Sequence, residues 1–190
     1  MSYKILKKQA HRLGEYHITP LRKEDMFSIM HWRNQQIDYL RQAKKLTKAD
    51  QIRYYESTVM ESFSASEPKI ILFSFLKSDK LIGYGGLTNL NYLDKRAELS
   101  FLLDSKRTQD KASYSKEFEV FIALVKKVCF EDLKFNRLFA ETYDLRDYHI
   151  KTLSRSGFKL EGKMREHVKI KGKFVDSLIH GILRKDYVKR

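Results

Sequence analysis

Apolar side chains recur at helical spacing in the first third of the chain, and this pattern predicts two helices. The first covers residues 23–36, where Met26 and Ile29 fall on the same face. The second begins at Thr47, because Asp50 follows three residues later, as in a capping box. We therefore expect two helices before the first β-rich segment.

Two further helices are predicted in the second half of the chain. The longer one has Ser113 or Ser115 as its candidate N-cap. The shorter one follows residue 145 and ends at Gly157, a residue type typical of a helix C-terminus. One face of the longer helix is apolar throughout and comprises Phe118, Phe121, Ile122, Val125, Val128, Cys129 and Leu133.

Strand-like alternation is strongest over residues 69–104. Three β-rich runs there are separated by the short polar segments "KSDK" and "YLDK", a pattern typical of an antiparallel meander. The glycine-rich segment "GYGG" at residues 83–86 lies inside the second run. Glycine within a strand indicates a bulge or a close approach of another backbone.

The remaining strands are predicted near the two ends of the chain. Residues 3–9 and 15–22 are expected to pair as a hairpin, so that the extension over residues 1–16 adds a strand. One strand is predicted at residues 136–144. A closing hairpin is predicted over residues 159–187, with its turn at "KIKGKF".

Chain length and cysteine content set the broad class. A chain of 190 residues can bury one substantial core, so a single domain over residues 1–190 is expected. Cys129 is the only cysteine, which excludes an intrachain disulfide and favours a buried core role. The sequence shows neither a signal-peptide core nor an apolar run of membrane-spanning length, and a cytoplasmic protein is expected. The six histidines lack metal-ligand spacing, so no metal is predicted.

The charge balance favours acidic partners. There are 38 Lys and Arg residues against 24 Asp and Glu residues, a formal net charge of +14. Such a surplus attracts nucleotides, phosphorylated ligands or nucleic acid. The basic residues are scattered singly along the chain, which is more typical of a solvated surface than of a nucleic-acid interface. We therefore expect a small-molecule partner rather than nucleic acid.

The order of elements and several segments resemble the GNAT superfamily of acyl-CoA N-acetyltransferases. The resemblance is to the branch that contains ribosomal-protein N-terminal and amino-sugar acetyltransferases. It implies an α/β (α+β) fold with a mixed, mostly antiparallel sheet of about seven strands and about four flanking helices. The segments that carry the resemblance are "ITPLRKEDMFSIMHWRN", "KLIGYGGLTNL", "AELSFLLD", "NRLFAETYDLRDYHIKTLSRSGFKLEG" and "REHVKIKGKFVDSLIHGIL".

The resemblance also implies a mechanism. In this superfamily the fourth and fifth strands splay apart, and the pantetheine arm of acetyl-CoA bonds to the fourth-strand backbone, here Phe101, Leu102 and Leu103. A backbone amide there stabilises the oxyanion as an amine attacks the thioester directly. Glu98 matches the position of a carboxylate that accepts the amine proton. The alternative is that Glu98 only pairs with a neighbouring Arg or Lys.

The phosphate-binding loop departs from the family pattern. Members usually have Arg or Gln, two residues, Gly, one residue, then Gly or Ala, so that backbone amides approach the pyrophosphate. Arg107 matches the first position, and the following "TQDKASYSK" is expected to form a longer loop than usual and has no glycine. Contacts from Lys111, Ser113, Ser115 and Lys116 are expected instead. The alternative is a protein that kept the fold and lost acetyl-CoA.

The short helix departs from the pattern as well. Arg146 and His149 stand at cofactor-side positions, and Leu153 stands where many members have a tyrosine that acts as general acid. Leucine cannot protonate a thiolate, so His149, Tyr143 or solvent must take that role. A purely structural His149 is the alternative.

The acceptor is the least specified part of the prediction. Residues expected to face the acceptor are Trp32, Arg33, Asn34, Tyr39, Arg41, Arg165 and His167. Stacking rings and basic groups favour a nucleotide-linked amino sugar, followed by protein N-termini, and disfavour polyamines because a basic enzyme repels a polycation. Packing in the core is the alternative role for Trp32. A non-catalytic protein that binds RNA is the alternative function, and a monomer or homodimer is expected.

Overall fold

The computed structural model describes residues 1–188 and contains one mixed sheet with helices on its faces. Eight strands follow the order β1-β2-β3-β4-β5-β6-β8-β7, and every pairing is antiparallel except β5 with β6. The fold class is thus confirmed, with eight strands against the seven expected. The strands are β1 His11–Leu13, β2 Tyr16–Pro20, β3 Ile71–Lys77, β4 Lys80–Asn91, β5 Arg96–Leu103, β6 Arg137–Tyr143, β7 Lys159–Ile170 and β8 Lys173–Leu183.

The helices surround this sheet. Thr47 and Asp50 form the predicted capping box at the start of α2, and π-helical turns follow both α2 and the long helix α4. The N-cap of α4 is Asp110, so the predicted Ser113 and Ser115 caps are wrong. The helices are α1 Met26–Gln35, α2 Lys48–Tyr54, α3 Met60–Ser64, α4 Lys111–Lys126, α5 Asp147–Arg155 and α6 Arg184–Val188.

The meander β3-β4-β5 forms the centre of the sheet, and its glycines permit close strand contact. A Cβ added at Gly85 would lie 2.1 Å from the backbone oxygen of Ser100, and one at Gly86 would lie 2.1 Å from that of Ile71. The prediction of a close backbone approach at "GYGG" is therefore confirmed. It keeps β5, the strand that carries Glu98, pressed against β4.

The N-terminal segment differs from the prediction. Residues 3–9 form no strand, and the hairpin is instead made by β1 and β2 with a turn at Gly14. The reason is that Tyr3 is buried and its hydroxyl exchanges hydrogen bonds with the backbone of Leu72. The extension thus adds one strand to the sheet edge and covers the core with its first residues.

The parallel pair β5 and β6 separates after a short ladder. Only three residue pairs are in register, from Arg96 with Arg137 to Glu98 with Phe139. Beyond them the two strands diverge, and the opening lies beneath α4 and α5. Within residues 1–188, no helix has both the length and the apolar character needed to cross a membrane.

Candidate active site

The gap between β5 and β6 contains a cleft of about 270 Å³. This is less than the usual volume of a pocket that encloses a drug-sized ligand, so it suits the reacting ends of two substrates rather than a whole coenzyme. We call it the β5–β6 cleft. Its lining comprises Arg33, Tyr39, Leu40, Arg41, Thr88, Asn89, Glu98, Leu99, Ser100, Phe101, Leu102, Tyr114, Phe118, Ala140, Glu141, Thr142, Tyr143, Arg146 and His149.

Glu98 lies where the two strands begin to separate. Glu98 is only 2% exposed, and a carboxylate so deeply buried requires polar partners. Asn89 of β4 donates its side-chain amide to one carboxylate oxygen, and Arg41 contacts the other. The structure therefore holds Glu98 in a defined orientation towards the cleft.

A second carboxylate, Glu141 of β6, faces the same space. Ser177 donates its hydroxyl to Glu141 Oε1 at 2.9 Å, and His167 Nε2 lies 3.8 Å from that oxygen. Arg41 Nη1 is 3.6 Å from Glu141 Oε2. Sequence reasoning missed Glu141, although an acidic residue in the middle of the strand predicted at residues 136–144 is an unusual feature that points to a polar cavity.

The other predicted acceptor residues are divided between the cleft and its surroundings. Arg33 lines the cleft, where its guanidinium donates to Gln42 and to the Tyr84 hydroxyl. The contact with the Tyr84 hydroxyl favours the charged form of the guanidinium and so keeps the pKa of Arg33 above its usual value. Asn34 bonds the backbone of Leu46 with both ends of its amide, at 2.8 and 2.7 Å, and so shapes the segment after α1.

Trp32 does not reach the β5–β6 cleft. It is 7% exposed and belongs to the hydrophobic core beneath α1. Its apolar surface is already buried there, so the predicted stacking on a substrate is wrong and the alternative role in packing is correct. Arg165 is exposed on β7 and does not line the cleft, whereas His167 reaches it only through Glu141.

Arg146, at the N-terminus of α5, closes one side of the cleft. Its guanidinium carbon is 3.5 Å from the centre of the Tyr39 ring, a cation–π contact, and its Nη2 donates to Gln36 at 3.2 Å. The buried Nε of Arg146 has no hydrogen-bond partner among the residues that the structure describes. This donor is therefore free for a ligand.

His149 is part of an aromatic group between α4 and α5. Its ring stacks on Phe118 at 4.3 Å, and its Nδ1 shares a hydrogen bond of 2.8 Å with the hydroxyl of Tyr114. Burial and the positive charge of Arg146 lower the pKa of His149 to about 3. The ring is therefore neutral near neutral pH. Sequence reasoning missed Tyr114, whose place on the apolar face of α4 looks like core packing.

Tyr143 brings a hydroxyl to the cleft from the end of β6. Burial raises its pKa above the ordinary value of 10.0. The hydroxyl therefore keeps its proton at neutral pH and can donate a hydrogen bond into the cleft.

The start of α4 shows how the loop after β5 is built. The Asp110 carboxylate accepts hydrogen bonds from the Ala112 amide at 3.0 Å and from the Ser113 hydroxyl at 2.5 Å. Counted from Arg107, Asp110 stands at the glycine position of the family pattern and Ala112 at the following small position. The loop therefore has the usual spacing, and the prediction of a longer loop is wrong.

The other residues that were predicted to contact acetyl-CoA near the loop lie around this cap. Arg107 pairs with the buried carboxylate of Glu117. Lys111 lies 5.8 Å from the ring centre of Tyr148, Lys116 is exposed, and Ser115 is partly buried. Basic side chains thus stand near the helix start, while the Asp110 carboxylate already accepts a hydrogen bond from the Ala112 amide there.

The residues of the β5–β6 cleft fit the reacting end of acetyl-CoA better than they fit its pyrophosphate. Beyond Glu98, β5 has no strand partner on the cleft side, and Phe101 and Leu102 line the cleft. Leu103 does not line the cleft and its carbonyl accepts a hydrogen bond from Gln36 at 2.8 Å, so its contact with the pantetheine arm stays a prediction. Among the described residues there is no group of three or more His, Cys, Asp or Glu suited to a metal.

Solved structures with similar folds are acetyltransferases. A spermidine N-acetyltransferase from Vibrio cholerae, in complex with CoA and spermine, superposes with a TM-score of 0.79 at 17% identity, covering 93% of this chain and 99% of that chain. A probable acetyltransferase of the GNAT family from Chromobacterium violaceum ATCC 12472 gives 0.75 at 15% identity, covering 99% and 92%. At these identities the likeness shows the fold alone.

The family of this chain is shown by a comparison of its sequence with protein-family models. Residues 18–179 match the model of the acetyltransferase (GNAT) domain, which is most of the chain. No curated protein sequence matches this chain significantly. Enzymes of this family transfer the acetyl group of acetyl-CoA to an amine. The chain therefore belongs to the GNAT acetyltransferase family and is an acetyl-CoA-dependent N-acetyltransferase.

Proposed function

We propose that this enzyme acetylates the primary amine of a nucleotide-linked amino sugar, with Glu98 as the general base. An amine must be neutral to attack a thioester, and most primary amines are protonated at neutral pH. Glu98 can accept that proton because its carboxylate faces the cleft at the point where β5 and β6 separate. Asn89 fixes the orientation of the carboxylate while the proton moves.

Acetyl-CoA supplies the activated acetyl group, and the chain provides the surroundings for its transfer. The free edge of β5 near Phe101 and Leu102 offers backbone groups to the acyl end, and a backbone amide there stabilises the oxyanion by several kcal/mol, on the order of other oxyanion holes. Tyr143 donates a hydrogen bond to the leaving sulfur, and the proton that finally neutralises the thiolate comes from solvent.

His149 has a positioning role in this account. A ring that remains neutral near neutral pH holds no imidazolium proton to give to the thiolate. Its contacts with Tyr114 and Phe118 instead keep α5 against α4 and so hold Arg146 beside the cleft.

The acceptor class follows from the contrast between the interior and the rim of the cleft. The interior holds the carboxylates of Glu98 and Glu141, which favour an ammonium group. The turn between β7 and β8 lies at the rim, because Lys171 Nζ is 2.6 Å from Asp38 Oδ2 in the segment after α1. Exposed basic residues of the segment after α1 and of the β7–β8 hairpin are Arg41, Lys44, Lys45, Lys163, Arg165, Lys169, Lys171 and Lys173, of which Lys163 and Lys171 pair with Asp176 and Asp38.

The observation that carries the proposal is that two carboxylates, Glu98 and Glu141, stand together in a cleft whose lining and surroundings are otherwise basic. It favours an acceptor with an amine at one end and an anionic body, and a nucleotide-linked amino sugar has both. A polyamine has cations along its whole length, so the rim repels it. The Vibrio cholerae enzyme bound to spermine shares the fold at 17% identity, a likeness that does not extend to the acceptor.

An acceptor panel tests the proposal. The panel contains a nucleoside-diphosphate-linked amino sugar, the same amino sugar without the nucleotide, spermidine and a peptide with a free N-terminus. CoA release and product mass are measured for each. We expect kcat/KM for the nucleotide-linked sugar to exceed that for the free sugar by about 10–10³-fold. A preference for spermidine, or equal rates with both sugars, would contradict the proposal.

A further inference from the structure

The two carboxylates of the β5–β6 cleft already hold a cation that belongs to the protein. Arg41 Nη2 contacts Glu98 Oε1, and Arg41 Nη1 lies 3.6 Å from Glu141 Oε2. One guanidinium thus bridges the two acidic side chains of the cleft interior. It occupies the position where an acceptor amine must arrive to give its proton to Glu98.

The side chain of Arg41 differs from its partners in burial. It is 52% exposed, while the side chains of Glu98 and Glu141 are 3% and 16% exposed. The guanidinium therefore enters the cleft from the solvent side, as a substrate would. Withdrawal of the guanidinium leaves the buried Glu98 carboxylate with the Asn89 amide as a polar partner, and the ammonium group of the acceptor replaces the lost positive charge.

The segment that carries Arg41 is held independently of this contact. Asn34 fixes the backbone of Leu46, and Gln42 bonds both Asn34 and Arg33. Lys171 holds Asp38 from the other side. Because these bonds do not include the Arg41 side chain, rotation about its own bonds is sufficient to withdraw the guanidinium from the cleft.

We propose that Arg41 is an internal substitute for the acceptor amine, which must leave Glu98 and Glu141 before the acceptor can bind. The proposal rests on the proposed function, since it takes Glu98 as the base. Two cations cannot occupy the same position between the carboxylates. The apparent affinity of the cleft for any external cation is therefore reduced by the fraction of molecules in which Arg41 has withdrawn.

The position of the Arg41 guanidinium after it withdraws from the cleft suits the anionic acceptor proposed above. Once outside the cleft, the Arg41 guanidinium joins the basic rim, where it can pair with a phosphate of the acceptor. The acceptor would then exchange its amine for the guanidinium at the carboxylates. Arg41 thereby becomes a residue that distinguishes acceptors with an anionic body from simple amines.

Binding of ethylguanidinium, a small analogue of the arginine side chain, tests the proposal without any enzymatic turnover. Binding is measured by NMR titration of wild type, Arg41→Ala, Arg41→Gln and the double variant Arg41→Ala/Glu98→Gln. We expect both single variants to bind the probe at least about tenfold more tightly than wild type. The double variant should lose this gain because one of the two carboxylates is gone.

Arg53→Ala provides the matched control, since Arg53 is exposed on α2 away from the cleft. It should bind the probe as wild type does. The proposal is overturned if folded Arg41→Ala and Arg41→Gln bind ethylguanidinium no better than wild type, or if the gain survives Glu98→Gln. A failure of the proposed acceptor would appear in the acceptor panel and leave this titration unchanged.

Discussion

At the scale of single residues, burial decides what His149 can do. The folded ring binds a proton only near pH 3, while an unfolded histidine binds one near its ordinary pKa of 6.5. Between these values the unfolded chain holds more protons than the folded chain. The contribution of His149 to the free energy of unfolding therefore decreases as the pH falls from 6.5 towards 3.

His149→Gln should reduce this dependence on pH. Glutamine does not titrate, and its amide can keep a hydrogen bond to the Tyr114 hydroxyl. We expect the variant to lose less stability than wild type between about pH 7 and about pH 4, as measured by urea unfolding at several pH values. Parallel stability curves for the two proteins would show that His149 does not remain neutral in the folded state.

Single residues were predicted from sequence only where a motif specified their environment. Glu98 and Phe101 could be placed because the resemblance covers their strand. Trp32 could not, because a large aromatic residue at helical spacing has the same pattern whether it faces the core or a ligand. The partners of Arg41 depend on contacts with residues 57 and 100 positions away, which no local pattern encodes.

At the scale of elements, the start of α4 differs most from what the family pattern implies. A carboxylate at the N-terminus of a helix is stabilised by the helix dipole, and Asp110 takes this position. The hydrogen bonds that Asp110 accepts from the Ser113 hydroxyl and the Ala112 amide lower its pKa, so it remains ionised. An anion that approaches the same amides meets a negative charge.

Asp110→Asn should therefore tighten the binding of CoA. Asparagine keeps an acceptor for the cap hydrogen bonds and removes the charge. We expect a decrease in Kd of roughly tenfold by calorimetric titration, from the repulsion of unit charges a few ångströms apart near a surface. Asp50→Asn, at the start of α2, is the control and should leave CoA binding unchanged. Weaker binding in Asp110→Asn would contradict this account.

Most elements were predictable because hydrophobic periodicity and capping signals are local. The meander, the capping box at Thr47 and the closing hairpin all follow from short-range patterns. The strand predicted at residues 3–9 failed for the opposite reason. That segment is held by the long-range bonds between Tyr3 and Leu72, which fix its backbone outside the sheet.

At the scale of the whole molecule, the net charge of +14 gives the acceptor reaction a salt dependence. Exposed charges at the rim are screened at a distance of about 8 Å at physiological ionic strength. We expect KM for an anionic acceptor to rise with added salt, while KM for its uncharged counterpart changes little. Initial rates at several salt concentrations measure both. A salt-independent KM for the anionic acceptor would remove the proposed role of the rim.

The cleft itself arises from the topology of the sheet, and hydrophobic periodicity alone does not predict it. Strands β5 and β6 are separated in sequence by the whole of α4, and their parallel pairing ends after Glu98 and Phe139. The family resemblance implied this separation. The position of Glu141, the Arg41 contact and the Asp110 cap required the three-dimensional structure. Whether the chain is a monomer or a homodimer stays a prediction.

The most direct test of the central claim is the turnover of Glu98→Gln with the best acceptor from the panel. Glutamine has nearly the same shape and cannot accept the amine proton, so we expect kcat to fall by about 10²–10⁴-fold. Glu56→Gln, at an exposed position, is the control. With folding verified by circular dichroism, a Glu98→Gln enzyme within about twofold of wild type would contradict the assignment of Glu98 as the base.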